Sequence, residues 1–126
     1  MLSAGTMMGF VLTKDAKRSR RFFEETLGFR FVREDDYAVV MRTDDNVIRI
    51  SPVKDFTPST HTTLGWQVKQ IEQLAGHLKE RGVSFQRYDY PGLKYDDLGV
   101  CTFPEGDKVA WFKDPDGNLL SIAELI

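Results

Sequence analysis

The strongest constraint on the fold is a repeat inside the chain. A helical segment that stops at a glycine, followed by short strands, occurs once before residue 53 and once after residue 60. Leu27-Gly28-Phe29 corresponds to Arg81-Gly82-Val83, and Asp45-Asn46-Val47-Ile48-Arg49-Ile50 corresponds to Gly117-Asn118-Leu119-Leu120-Ser121-Ile122. Side chains of a strand alternate between the two faces of its sheet. Alternation therefore directs Ile48, Ile50, Leu120 and Ile122 toward the helices, and Val47, Arg49, Leu119 and Ser121 toward the opposite face. The expected organisation is one domain over 1–126 built from two α+β modules, at about 6–52 and about 61–124, with a linker at about 53–60. Pro52, Pro58, Ser59 and Thr60 mark that linker.

Two helices are predicted. The first spans about Asp15 to Thr26, with Asp15 placed to cap its start and Gly28 just beyond its end. The second spans about Gln70 to Arg81, where Ile71, Leu74, Ala75 and Leu78 recur at spacings of three and four. Strands are predicted at Phe29–Arg33, Tyr37–Arg42, Asn46–Ser51, Thr62–Val68, Ser84–Tyr88, Lys108–Lys113 and Asn118–Ala123. Asp114-Pro-Asp-Gly117 reads as a tight turn between the last two. The stretch Asp89–Leu98, with Tyr90 and Tyr95, reads as an aromatic loop able to cover a pocket.

Composition narrows the function. The 126 residues carry 17 basic and 19 acidic side chains, a net charge of -2, which disfavours nucleic acid as a partner because phosphate neutralisation needs a basic surface. One cysteine excludes an intramolecular disulfide and any multi-cysteine zinc site. No apolar run reaches the ~18 residues of a membrane span, and Met1–Met8 lacks the basic start and apolar stretch of a signal peptide. The expectation is a cytoplasmic protein with no membrane association.

Three stretches resemble the vicinal oxygen chelate superfamily, the group of glyoxalase I, bleomycin-resistance proteins and extradiol dioxygenases. They are Asp15-Ala-Lys-Arg-Ser-Arg-Arg-Phe-Phe-Glu-Glu-Thr-Leu-Gly-Phe29, then Gly65-Trp-Gln-Val68 continuing to Leu78-Lys-Glu-Arg-Gly-Val83, and Ala110-Trp-Phe-Lys-Asp-Pro-Asp-Gly-Asn-Leu-Leu120. The resemblance implies two βαβββ modules whose mixed sheet curls into an open, barrel-like structure with a cleft. It also implies a homodimer, and a divalent metal held in the enzymatic members by histidine and glutamate.

Matched to that pattern, the metal-ligand positions are Met8, Arg49, Thr63 and Ser121. A thioether is too soft for such cations, a guanidinium repels them, and hydroxyls are weak donors. No metal, no cofactor and no catalytic residue is therefore assigned. The matched face instead suggests a small-molecule cleft lined by Arg49, Phe10, His61, Thr63, Gln67, Tyr90, Trp111 and Ser121, with Arg49 suited to an anionic group. His77 is expected at the surface and Cys101 in the core or an interface.

Three functional readings follow. The first is a metal-free protein that binds an unidentified small organic ligand. Second comes a lyase or dioxygenase with a displaced metal site, or an acid–base enzyme using His61, Glu105 or Glu124. The third is an interaction domain whose cleft is filled by its own side chains.

Overall fold

In the first half of the chain, alternation produces β1 (Met8–Thr13), β2 (Arg30–Glu34), β3 (Val39–Arg42) and β4 (Val47–Pro52), with α1 (Ala16–Arg21) between the first two. These elements belong to one compact unit, Met1–Pro58, of a computed structural model that describes the whole chain, Met1–Ile126. The strand order is β1-β4-β3-β2, with β1 parallel to β4 and the other pairs antiparallel. Val11, Met41, Ile48 and Ile50 are buried on the face that α1 covers. Asp15 caps α1 as expected, its carboxylate accepting the Arg18 N–H at 3.1 Å.

The first helix departs from the expected single span. The α-helical turns end at Arg21, and Phe22–Thr26 widens into a π turn in which the Leu27 N–H reaches the Phe22 carbonyl. The wider turn seats Phe23 in the core, edge-on to Phe22 at 5.5 Å and to Phe29 at 5.6 Å. Aromatic packing thus outweighs the regular hydrogen-bond ladder.

Ser59–Ile126 forms the second unit. It contains β5 (Leu64–Gln67), α2 (Ile71–Glu80), β6 (Phe85–Gln86), β7 (Lys94–Tyr95), β8 (Cys101–Thr102), β9 (Lys108–Lys113) and β10 (Leu119–Glu124). Here β5 runs parallel to β10, β10 pairs antiparallel with β9, and β6 pairs antiparallel with β9. The order β1-β4-β3-β2 of the first unit therefore recurs as β5-β10-β9-β6. A short hairpin, β7–β8, is added alongside β9. The protein is thus an α+β chain of two modules, each with its own mixed sheet, and neither sheet closes into a barrel. None of its helices is long and apolar enough to cross a membrane.

Two long-range contacts fix α2. Gln70 enters it in the left-handed region, φ 54°, and supplies no side-chain cap. The first free N–H, that of Ile71, is taken instead by Glu124 Oε1 at 3.0 Å, from the far end of β10. A carboxylate at a helix N-terminus also meets the positive end of the helix dipole. Glu124, weighed above for proton transfer, thus serves as a helix cap.

The second contact is the ion pair between Glu72 of α2 and Lys108 of β9. The Lys108 ammonium, with the Glu72 backbone N–H, holds the Glu72 carboxyl below its usual range. A carboxylate with a lowered folded-state pKa stabilises above its unfolded pKa, near 4.5, and the contribution disappears as pH falls through the lowered value. Glu72→Gln is therefore expected to be slightly less stable than the wild type at neutral pH, with the gap closing below pH 4.5. Both partners are half-exposed, so the gap is small and shrinks with salt. Urea titrations at several pH values measure it, and a gap that is constant with pH would remove the pair from the account.

The Asp114-Pro-Asp-Gly117 turn forms where the sequence predicts it. Asp114 is buried, with Oδ1 accepting the N–H groups of Asp116 and Asn118 and Oδ2 accepting Asn118 Nδ2. Burial pushes its carboxyl up, against these donors, which hold it down.

Candidate ligand-binding site

Alternation along β9 sends Ala110 and Phe112 into the core and Trp111 to the other face of the second unit's sheet. The half-buried Trp111 is surrounded by rings. Tyr88 lies edge-on at 5.4 Å, Phe103 at 6.4 Å and Tyr95 at 6.5 Å. Beside them opens a hollow of about 480 Å³. Trp111, Tyr88, Tyr90 and Phe103 give it aromatic walls, and Leu93 and Leu119 add aliphatic surface. Thr60, His61 and Thr62 contribute its polar groups.

The loop that carries Tyr88 and Tyr90 is braced from within. The Tyr95 hydroxyl accepts the Tyr88 N–H at 2.8 Å and donates to the Tyr88 carbonyl at 3.2 Å. Arg87 crosses the same segment, its Nη2 donating to the carbonyls of Asp96 at 2.9 Å and Asp97 at 3.3 Å while its guanidinium sits 5.5 Å from the Tyr95 ring. Asp96 Oδ1 accepts the N–H groups of Leu98, Gly99 and Val100, each at 2.9 Å. These bonds hold a stretch of little regular structure in one shape.

Chemically, the hollow combines aromatic walls with a polar edge of two hydroxyls and an imidazole. Its lining has no lysine, arginine, aspartate or glutamate. His61 is exposed, and its backbone N–H is held by Ser59 Oγ at 3.0 Å. Cys101 is fully buried, and burial pushes its thiol up, the opposite of what a nucleophile needs.

The residues expected at the site divide as follows. His61, Tyr90 and Trp111 come together in the hollow. Thr63, Gln67 and Ser121 share the Trp111 face of the second unit's sheet but lie outside the lining. Phe10 and Arg49 belong to the first unit, paired side by side on β1 and β4, with Met8 in the adjacent row. Tyr95 braces the loop rather than lining the hollow. His77 is exposed on α2, and Glu105 is exposed as well. Sequence reasoning missed Tyr88, Leu93, Phe103, Thr60 and Thr62. The available signal was the density of aromatics from Tyr88 to Tyr95, which marks the loop without showing which rings turn inward.

The donor set at the four matched positions does not suit a divalent cation. Met8 and Arg49 offer a thioether and a guanidinium, while Thr63 and Ser121 offer hydroxyls. Nowhere in the chain do three His, Cys, Asp or Glu side chains converge in a way that could hold a metal ion.

Paired βαβββ modules, each with its first strand parallel to its last, define a class of small α+β proteins. The chain belongs to the Glyoxalase/Bleomycin resistance protein/Dioxygenase superfamily, whose model matches residues 6–122. Among solved structures it is similar to TnmS3, an antibiotic binding protein from Streptomyces sp. CB03234, with a TM-score of 0.70, 18% identity and coverage of 100% of this chain and 99% of that one. It is also similar to a glyoxalase/bleomycin resistance protein/dioxygenase from Alicyclobacillus acidocaldarius, with a TM-score of 0.72, 16% identity and coverage of 98% and 92%. A lactoylglutathione lyase from Agrobacterium tumefaciens gives a TM-score of 0.70 at 10% identity, with coverage of 96% and 93%. At these identities the likeness is one of fold. No curated protein matches the chain by sequence.

Proposed function

We propose that the protein binds a small, flat, largely apolar organic molecule in the hollow around Trp111 and does so without a metal. One observation carries this reading. Four aromatic side chains surround a hollow of about 480 Å³ whose lining has no lysine, arginine, aspartate or glutamate and no convergent metal-ligand set. Stacking against such rings is favourable beyond the area buried, and the hydroxyls of Thr60 and Thr62 with the His61 imidazole can orient a ligand at its edge. TnmS3, which shares the fold, is an antibiotic binding protein, so the fold is compatible with a binding role. An open hollow also favours binding over an interaction domain with a filled cleft. In this reading the protein acts as a cytoplasmic homodimer.

The test joins metal content to ligand binding. Purified protein is assayed for metal and melted with chelator, Ni²⁺, Zn²⁺, Mn²⁺ and Fe²⁺, then titrated with 2-naphthol while tryptophan fluorescence is followed. Unchanged melts with saturable quenching support the proposal, since a specifically bound metal would raise the melting point by mass action. One metal per chain, whose removal lowers stability, would overturn the metal-free reading in favour of a lyase or dioxygenase with rearranged ligands.

A further inference from the structure

The open face of the first unit's sheet carries a charge pattern that packing does not require. Register sets its side chains in two rows across the four strands. Phe10, Arg49, Val40 and Arg33 form one row, and Met8, Val47, Arg42 and Arg30 form the next. Arg30 stands directly opposite Arg42, and like charges so placed destabilise a sheet. Arg30 reaches Asp44 at 3.2 Å and Arg33 reaches Asp35 at 4.0 Å. Arg42 and the half-buried Arg49 have no carboxylate within ion-pair distance. Asp35 senses Arg49 at longer range, but its Oδ1 is already occupied by the N–H groups of Tyr37 at 2.8 Å and Ala38 at 2.9 Å.

A bulge in β2 adds to the pattern. Phe31 pairs with Met41 on the α1 side, where the Arg20 guanidinium lies 3.5 Å from its ring, yet Arg33 pairs with Val40 on the open side. A period of two would keep Phe31 and Arg33 on one face, so the register slip between them is what turns Arg33 outward. Along the edge of the same face, β1 presents Met8, Phe10 and Leu12 at 47%, 57% and 41% exposure. Two guanidinium groups without a carboxylate in ion-pair contact, those of Arg42 and Arg49, thus share this face with an exposed apolar column.

We propose that this face binds an organic anion with a flat apolar body. The forks of Arg49 and Arg42 take its carboxylate or phosphate, while Met8, Phe10 and Leu12 cover the body. Two parallel N–H groups of a guanidinium match the paired oxygens of such an anion, a geometry that lysine does not offer. This site is built from residues of the first unit, whereas the Trp111 hollow is lined by residues of the second.

The experiment titrates ¹⁵N-labelled full-length protein with phenylacetate, phenyl phosphate, inorganic phosphate and the neutral 2-phenylethanol. It follows backbone amides and arginine Nε–Hε signals by NMR. Phenylacetate or phenyl phosphate is expected to shift Arg49, Arg42 and Phe10 saturably, more weakly as salt rises, and the stronger of the two identifies the anion. Inorganic phosphate and 2-phenylethanol each supply half of the recognition and bind more weakly. Arg49→Gln is expected to weaken binding about tenfold or more, with Arg49→Lys between it and the wild type. Should Arg49→Gln fail to fold, Arg42→Gln tests the same direction of change. Equal affinity for 2-phenylethanol and phenylacetate, or unchanged affinity in the folded glutamine variants, would overturn the proposal. So would concentration-dependent shifts of this face without ligand, which would assign it to self-association. Shifts confined to Trp111 and its neighbours would refute this site while leaving the hollow standing.

Discussion

Replacing Trp111 with alanine is expected to abolish binding at the aromatic hollow and to destabilise the protein by about 2–3 kcal/mol. The ring is half-buried, so the cost falls below that of a fully buried tryptophan. Its loss deprives Tyr88, Tyr95 and Phe103 of their shared neighbour, since all three rings meet only at Trp111. Trp111→Phe keeps a flat ring at the same place and is expected to retain most of the stability and part of the binding. Urea unfolding and calorimetric titration with 2-naphthol separate the two effects. If Trp111→Ala binds 2-naphthol as the wild type does, the hollow is not the ligand site.

A comparably large effect is expected from a position that touches no ligand. Gly99 is buried with φ 105°, and a Cβ there would come within 2.7 Å of Phe85 Cβ. Phe85 cannot yield easily, because it packs edge-on against the buried Phe112 at 5.9 Å. Gly99→Ala therefore meets backbone strain and overpacking together, and about 2–4 kcal/mol of stability is expected to be lost. The damage extends to the site. Gly99 lies among the N–H groups gathered by Asp96, in the segment that Arg87 ties to Tyr95 and so to Tyr88. Gly92 provides the control, since it has φ 84° but nothing within 4 Å of its Cβ position. Gly92→Ala meets strain alone and is expected to cost about 1 kcal/mol. Thermal and chemical melts of the two variants isolate the contact with Phe85, and equal losses would show that this contact costs nothing.

What the sequence made legible follows from which forces are local. Alternation placed Arg49, Trp111 and Leu119 on the faces where they are found, because a strand's period needs only its own residues. Asp15 and the Asp114–Gly117 turn were readable for the same reason. The π turn was hidden because Phe22 and Phe23 fit a helix until Phe29 competes for the same core space. Glu124 as the cap of α2 lies far from Ile71 in sequence, and nothing local joins them. The β7–β8 hairpin has strands of two residues each, too short for alternation to register, and its Pro91-Gly92 neighbourhood reads as loop. That hairpin leads to Phe103, so this wall of the hollow went unread with it.

The parallel pairing of each unit's first strand with its last bears on the order of events as the chain is made. Met8–Thr13 leaves the ribosome before Val47–Pro52, the one strand with which it pairs. Its amides stay open until nearly the whole unit has been synthesised, and Leu64–Gln67 waits in the same way for Leu120–Ala123. Contacts between distant segments carry the entropic cost of closing the intervening loop, so the first strand of each unit is expected to join its sheet only once the last strand is available. Pulse-labelled hydrogen exchange during refolding is expected to show β1 and β4 gaining protection together, and β5 and β10 likewise. Early protection of either first strand alone would mean that it finds a temporary partner before its own arrives.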